Sequence, residues 1–143
     1  MKPHKFFVAV LVVGIGLFGW YFLLKEKQLK KLKINNTIIF VEINTKKRQF
    51  FSKESFGEKE GILFVFEKPD VRSFDLKRIY FPLDFIWISG NEVVAVTENI
   101  NSKNFSNQKI ISSPVPVDKV LQVESGFVQK YQIKVGQKIE ILD

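Results

Sequence analysis

The sequence predicts a mainly β fold, in which a small β-rich domain, a barrel or a sandwich, follows one N-terminal transmembrane helix. Three features of the 143 residues favour this fold. Residues 6–24 contain no charged side chain, residues 37–143 show short apolar runs separated by turn residues, and the chain holds 15 phenylalanines. Short alternating runs are typical of β-strands, and phenylalanine at this density is typical of a packed core. An aromatic surface for ligand binding is the less favoured interpretation of these residues.

The apolar segment Phe6–Leu24 is predicted to span a membrane as a helix. Its nineteen residues reach roughly 28 Å at about 1.5 Å per residue, which matches the hydrocarbon thickness of a bilayer. The run is longer than the apolar part of a cleavable signal peptide, so we expect an uncleaved signal anchor. The residues expected to contact lipid include Phe6, Leu11, Leu17, Trp20, Tyr21 and Leu24.

The chain divides into four predicted parts. These are a short tail at residues 1–5, the helix at 6–24, a basic juxtamembrane linker at 25–36 and a β-rich domain at 37–143. Two interpretations of the lysine-rich linker stay open, since it either continues the helix beside lipid headgroups or forms a solvated spacer.

The positive charge is concentrated at the N-terminus. The formal net charge is +7, and residues 1–33 contribute seven lysines against one glutamate. Residues 34–143 therefore keep a net charge of only +1. Binding to a phosphate backbone needs several clustered cations, so nucleic acid is excluded as a partner of the β-rich domain.

The composition also removes several kinds of chemistry. The chain has no cysteine, and its one histidine, His4, precedes the apolar segment. Disulfides, cysteine-ligated zinc, iron–sulfur clusters and histidine-based catalytic pairs are excluded from the β-rich domain. We expect neither a metal site nor a cofactor.

Six strands are predicted in the β-rich domain from their apolar alternation. They are Thr37–Ile43, Ile62–Phe66, Leu83–Ser89, Glu92–Asn99, Lys119–Glu124 and Lys138–Leu142. Gly90 and Asn91 lie between two of these strands and predict a hairpin turn, with glycine supplying a positive φ. Residues 99–113 predict a long polar loop, and residues 127–131 a short helical turn.

Lys77 and Asp84 are the first candidates for a binding site. They lie seven residues apart around a Phe-Pro break, and the bend at the proline allows their side chains to converge on a polar ligand. In the alternative interpretation, which we favour, Asp84 binds backbone amides at the turn and Lys77 is solvated. Arg78 and Glu98 are further candidates for the same polar groove.

A catalytic role needs a nucleophile or a general acid and base. The candidates are carboxylates, which at a suitable separation hydrolyse glycosides, and a Ser73–Lys77 pair of low specificity. The carboxylate candidates are Asp75, Asp84, Glu98 and Glu124. The sequence does not give their separation, so we favour a protein that is not an enzyme.

Three blocks of the sequence resemble one family. Gly61–Phe66 is similar to the family's G-M-L-F-V-F, and Ser73–Phe85 to S-F-W-M-K-N-T-x-I-P-L-D-I. Val120–Gly126 and Ile133–Gly136 are similar to V-L-E-V-N-A-G followed by I-x-x-G-D. Residues 38–143 thus resemble domain-of-unknown-function family 192, a group of small envelope or membrane proteins. The resemblance implies a compact, barrel-like β-rich domain that is exported behind a signal or anchor and has no established activity.

The sequence departs from the family pattern at several polar positions. Lys77, Pro82 and Asp84 match the pattern, whereas other positions carry a different residue. The departures are Asp75 for Trp, Arg78 for Asn, Ile79 for Thr, Gln122 for Glu and Gln137 for Asp. A ligand that the family binds through these residues is bound differently here, or not at all.

Two signals disagree about the orientation in the membrane. Five lysines follow the apolar segment closely, and the positive-inside rule alone places the C-terminal side in the cytoplasm. The short basic tail and the family resemblance favour the opposite side. We expect a single-pass membrane protein whose β-rich domain is extracytoplasmic.

The expected function is that of a non-catalytic binding or accessory module of the cell envelope. Its expected partners are the lipid bilayer, through Phe6–Leu24, and an envelope glycan or envelope protein. The alternatives are a membrane-anchored carboxylate hydrolase of envelope glycans and a structural subunit that docks through the glycines of the spanning helix.

Overall fold

The computed structural model describes residues 29–45, 55–101 and 110–142. The mainly β prediction is confirmed, because strands account for most of the regular structure of these residues. The strands are β1 (Lys30–Ile34), β2 (Thr37–Asn44), β3 (Glu60–Asp70), β4 (Ser73–Asp75), β5 (Leu83–Ser89), β6 (Glu92–Ile100), β7 (Ile110–Ser112), β8 (Val117–Glu124) and β9 (Ile139–Leu142). A 3₁₀ turn at Leu76–Arg78 and a short helix α1 at Phe127–Lys130 complete the described elements.

Seven strands form one curled sheet in the order β6-β5-β8-β3-β2-β1-β9. Neighbouring strands run antiparallel except β2 and β3, which are parallel. The two edges of the sheet meet at one corner, where Glu92 bridges to Lys138 and the Val93 amide donates to the carbonyl of Gln137 at 2.9 Å. The sheet is therefore a half-barrel that closes at one end. Strands β4 and β7 form a separate two-stranded sheet.

The curled sheet is covered by apolar side chains on both faces. The inner cluster joins the strands to α1 through residues such as Leu32, Leu63 and Phe127. The outer cluster lies between the sheet and the layer made by β4, the 3₁₀ turn and β7, and includes Phe74 and Trp87. Burial on both faces explains why all residues of β5 from Leu83 to Ile88 are buried, whereas a half-exposed strand alternates.

The six predicted strands are all present. β5 has the predicted bounds, and β2, β3, β6 and β8 extend the predicted runs by one or more residues. The hairpin between β5 and β6 is also confirmed, and Gly90 has the positive φ, at 59°, that the turn requires. The predicted helical turn is α1.

The predicted linker at 25–36 is wrong for its C-terminal half. Lys30–Ile34 is a strand that pairs with both β2 and β9, so the β-rich domain begins before residue 37. Leu32 and Ile34 are buried while Lys31 and Lys33 point outward, which is the period of a strand and not of a helix. The lysines of β1 concealed this alternation in the sequence. The hairpin between β1 and β2 turns at Asn35, which has a φ of 52°.

The predicted loop at 99–113 is also wrong at both ends. β6 continues to Ile100, and Ile110–Ser112 forms β7, which pairs with β4. A three-residue strand has no period to detect, and its formation depends on a partner more than thirty residues away in sequence. Residues 102–109 of this segment lie outside the described residues.

The predicted transmembrane helix at residues 6–24 lies outside the described residues. Within 29–45, 55–101 and 110–142, no helix has the length and apolar character that a membrane crossing requires.

Gly61 on β3 marks the closest approach between two central strands. A Cβ atom at this position would lie 2.7 Å from the carbonyl oxygen of Gln122 on β8, a main-chain atom that cannot rotate away. The residue is also buried, so a side chain would push the two strands apart. Glycine is needed here for space and not for its φ.

The substitution Gly61→Ala is expected to lower the free energy of unfolding by about 1–3 kcal/mol, because overpacking in a dense core costs this much. Urea denaturation of the full chain in detergent, followed by circular dichroism, measures the change. Gly57→Ala is the matched control, since the added Cβ would meet only the flexible side chain of Glu60. Equal stability of the two variants would contradict the close approach of β3 and β8.

Candidate functional site

The carboxylate of Asp84 is buried and bound entirely by main-chain amides. Its Oδ1 accepts a hydrogen bond from the Asn99 amide at 2.9 Å, and its Oδ2 accepts from the amides of Gly126 at 2.9 Å and Val128 at 3.0 Å. Asp84 is fully inaccessible to solvent. One side chain on β5 thus joins the end of β6 to the start of α1.

The local sequence explains why α1 begins at this carboxylate. Gly126 precedes the helix at φ 92°, a conformation that favours glycine, and no side chain of its own caps the helix. The first amides of a helix have no acceptor within the helix and favour a negative charge. In most helices a residue directly before the first turn supplies this acceptor. Here Asp84, on the distant strand β5, supplies it.

Within the described residues, Lys77 and Asp84 do not contact each other through a hydrogen bond or an ion pair. Lys77 is exposed on the 3₁₀ turn. Arg78 is exposed on the same turn, and Glu98 is exposed on β6. Of the two arrangements predicted for Asp84, the structure has the one in which it binds backbone amides at the turn.

The remaining carboxylate candidates do not form a catalytic pair with Asp84. Asp75 Oδ1 accepts from the Lys77 amide at 2.9 Å and so caps the 3₁₀ turn. Glu124 is exposed at the end of β8. Among the described residues, no three His, Cys, Asp or Glu side chains converge where a metal ion would fit.

Gln122 is the polar side chain that the structure singles out. It is fully buried on β8, and neither its Nε2 nor its Oε1 has a hydrogen-bond partner among the described residues. Its register partners are Ile62 on β3 and Phe85 on β5, both members of the outer cluster. An amide that offers two donors and one acceptor thus lies in an apolar layer.

Aromatic rings dominate this outer layer. Phe74 packs against Phe85 with ring centres 5.2 Å apart, and Phe85 packs against Trp87 at 5.4 Å. Phe56 and Phe81, which precede β3 and β5, form an edge-to-face pair at 5.3 Å. The indole of Trp87 donates to Thr97 Oγ1 at 2.8 Å, so this polar group of the layer is satisfied and the Gln122 amide is not.

The sequence contained one signal for Gln122. It interrupts the apolar run Val120–Val123, and a polar residue in a strand that is buried on both faces must lie in a core. Gln122 is otherwise distinguished in the sequence only as a departure from the family pattern. Its burial becomes evident only when the β4–β7 layer is known to cover β8.

An open cleft of about 860 Å³ lies beside β3. Arg72 lines this cleft, and its guanidinium stacks 4.0 Å above the ring of Phe66. The same guanidinium donates to the carbonyls of Lys68 and Val117, which fixes the turn between β3 and β4. These contacts give Arg72 a structural role at the side of the cleft.

A second polar contact fastens α1 from outside. Lys130 Nζ and the Tyr131 hydroxyl both donate to Glu58 Oε1, at 2.6 Å and 3.0 Å. These hydrogen bonds lower the pKa of Glu58 and raise the pKa of Lys130. The pKa of Tyr131 is raised mainly by desolvation and, to a smaller extent, by its hydrogen bond to Glu58. A carboxyl group whose pKa is lowered by folding stabilises the fold at pH values above its unfolded pKa. This stabilisation is lost as the pH falls through the folded pKa. The group is exposed, so it contributes little.

The substitution Asp84→Asn is expected to lower the free energy of unfolding by about 2–4 kcal/mol. The amide keeps one acceptor oxygen, and its NH₂ group then faces a main-chain N–H that has lost its partner. Thermal unfolding of the full chain in detergent measures this change. Glu98→Gln removes an exposed carboxylate and is expected to stay within about 0.5 kcal/mol of the parent. A stable Asp84→Asn variant would contradict the structural role of the carboxylate.

Comparison with known proteins identifies the fold and the family. A crystal structure from Sinorhizobium meliloti 1021, described as a candidate transcription regulator, is similar with a TM-score of 0.71 and 20% identity over 81% of this chain and 95% of that chain. A protein of unknown function from Novosphingobium aromaticivorans DSM 12444 is similar with a TM-score of 0.66 and 20% identity over 77% and 83% of the two chains. Likeness at this identity shows a shared fold alone. No curated protein matches the chain.

The family model described as "Uncharacterized ACR" matches residues 29–141, which begins at the first described residue and includes β1. The match spans the curled sheet as far as Ile141 of β9, together with the covering layer. The chain therefore belongs to domain-of-unknown-function family 192.

Proposed function

We propose that the protein is a non-catalytic binding module of the cell envelope, which binds the acetamido group of an N-acetylated sugar through Gln122. In this proposal residues 6–24 anchor the chain in the membrane, and the β-rich domain lies outside the cytoplasm. The observation that supports the binding site is the buried, unpartnered amide of Gln122.

An unpartnered amide is expensive to bury. Leaving a buried donor or acceptor unsatisfied costs about 1–3 kcal/mol, and native proteins satisfy the great majority of such groups. An apolar residue of similar shape, such as methionine, would fill the same volume without this cost. A ligand that completes both hydrogen bonds provides a reason for glutamine at this position.

The chemistry of the layer selects a neutral ligand with an amide. The Gln122 oxygen accepts from the acetamido N–H, and its NH₂ group donates to the oxygen of a neighbouring sugar hydroxyl. The N–H and C=O of one trans acetamido group point in opposite directions, so the two hydrogen bonds go to different groups of the sugar. A methyl group beside that amide fits against Ile62 and Phe85. Sugars with an acetamido substituent combine these groups with apolar C–H surfaces that suit aromatic rings.

In the proposed binding mode, the ligand reaches Gln122 by displacing the pair formed by Phe56 and Phe81, which packs in the same outer cluster as Ile62 and Phe85. The ring of Phe81 is half-buried, and its edge-to-face contact with Phe56 is worth about 0.5–1.5 kcal/mol. A contact of this strength separates readily on the timescale of side-chain motion. The sugar ring then takes the place that Phe81 leaves.

No observation favours the hydrolase alternative. The oxygens of Asp84 already accept three amide hydrogen bonds, so this carboxylate neither attacks a glycosidic bond nor activates water. Binding through the uncharged Gln122 amide involves hydrogen bonds alone, so it needs no general acid.

The binding proposal predicts opposite effects of Gln122→Met on stability and on ligand binding. Removal of the buried amide is expected to raise the melting temperature by at least about 3 °C and to abolish binding of N-acetylglucosamine. Thermal unfolding measures the first effect, and saturation-transfer NMR on the acetamido methyl group measures the second. Glucose is the control ligand, since it lacks the acetamido group. Equal methyl signals from parent and variant, or none from the parent, would overturn the proposal.

The proposed orientation predicts that a cysteine at Lys134 is labelled from outside the cell. Lys134 is exposed, and the chain has no cysteine of its own, so a membrane-impermeant thiol reagent has no background. Lys134→Cys is expected to react in intact cells, whereas Lys5→Cys, in the N-terminal tail, is expected to react only after lysis. The reverse pattern would place the β-rich domain in the cytoplasm.

A further inference from the structure

One face of the half-barrel combines lysines with exposed apolar side chains. Ile38 and Phe40 point to the same side of β2, and each is 41% exposed. Their register partners on β1 are Lys33 and Lys31, which are also exposed. We call these four residues the β1–β2 face.

The opposite sides of the same two strands follow the usual pattern. Leu32 and Ile34 of β1 and Ile39 and Val41 of β2 are completely buried in the inner cluster. On the outward side, β1 carries Lys31 and Lys33, whereas β2 carries Ile38 and Phe40, followed by the partly buried Glu42. A pair of exposed apolar residues bounded by lysines is typical of an interaction surface.

The position of β1 in the chain identifies a partner for this face. Lys30 begins β1 and lies six residues after Leu24, the last residue of the apolar segment. Six residues span at most about 22 Å. If the apolar segment crosses the bilayer, the start of β1 is held within this distance of the membrane surface, and the β1–β2 face begins one residue later.

The charges near the face also suit an anionic membrane. Lys25 and Lys27 lie between the apolar segment and β1, and they add to Lys31 and Lys33. The acidic residues next to the face are Glu140, beside Lys33, Glu60, beside Phe40, and Glu42, which follows Phe40 on the same side of β2. Glu60 also accepts from the Gly57 amide, which keeps its carboxylate at the turn before β3.

We propose that the β1–β2 face docks on the anionic surface of the bilayer that holds the anchor. Ile38 and Phe40 enter the interfacial region, and Lys31 and Lys33 bind lipid phosphates, as in other surface-bound amphipathic elements. This inference rests on the anchor of the proposed function and is independent of ligand binding at Gln122. It gives the half-barrel one fixed orientation on the membrane.

Fluorescence quenching in reconstituted vesicles tests the docking. The full chain receives a single cysteine at Asn36, an exposed turn residue beside the β1–β2 face, and a bimane label. The vesicles contain phosphatidylcholine and headgroup-spin-labelled lipid, with or without phosphatidylglycerol. A label at Tyr80, which is 75% exposed in the outer layer, reports a part of the domain that does not dock. We expect quenching at Asn36, enhanced by phosphatidylglycerol, and little quenching at Tyr80.

Charge reversal separates docking from general attraction. Lys31→Glu with Lys33→Glu is expected to lower the ratio of docked to undocked protein at least about tenfold. Lys68→Glu with Lys77→Glu changes the net charge equally at exposed sites outside the face and is expected to leave quenching at Asn36 unchanged.

The outcomes distinguish failure of docking from failure of the anchor. Retention in the vesicles after an alkaline carbonate wash, with no quenching at Asn36, would overturn docking and leave the anchor intact. Equal quenching at Asn36 and Tyr80, or equal effects of the two double variants, would also overturn docking. Release of the chain by the wash would overturn the anchor and docking together.

Discussion

The carboxylate of Asp84 holds together parts of the chain that are up to 44 residues apart in sequence. Its amide donors come from the end of β6 and from the start of α1, at positions where the backbone leaves regular structure: Asn99 has φ 53° and Gly126 has φ 92°. Such amides have no acceptor in their own element and would be costly to bury alone. Because Phe127 and Val128 of α1 fill the inner cluster, the carboxylate also determines how the interior of the half-barrel is packed.

The two central strands are buried on both faces, so hydrogen bonding distinguishes the polar residues that they contain. β5 and β8 lie at the centre of the sheet and are covered by the inner cluster on one face and by the aromatic layer on the other. Asp84 and Gln122 are both fully buried, yet they differ in hydrogen bonding. Asp84 is saturated by main-chain donors, whereas Gln122 has no partner among the described residues. Saturation indicates a structural role for Asp84, and the unpaired amide of Gln122 is the observation on which the proposed binding site rests.

The sequence predicted those parts of the fold that local patterns determine. The alternation of β2 and the Gly90 turn depend on neighbouring residues, so both were predicted correctly. β1 was missed because its only apolar residues, Leu32 and Ile34, lie among lysines, and β7 was missed because it is defined by pairing with β4. The partners of Asp84 and the burial of Gln122 depend on contacts between distant segments, which no local pattern contains.

Attachment and binding support each other in the proposed function. A site built on one neutral amide makes two hydrogen bonds, each with a net value of about 0.5–1.5 kcal/mol, so its affinity for a single sugar is low. An anchored domain meets its ligand at the high effective concentration that a short tether provides, which offsets a low intrinsic affinity. Docking through β1 and β2 would reduce the orientations that the domain samples, and so lower the entropic cost of binding a glycan fixed in the envelope. The lysines of β1 thus complement the glutamine of β8, because an oriented module can use a site that would be too weak for a protein free in solution.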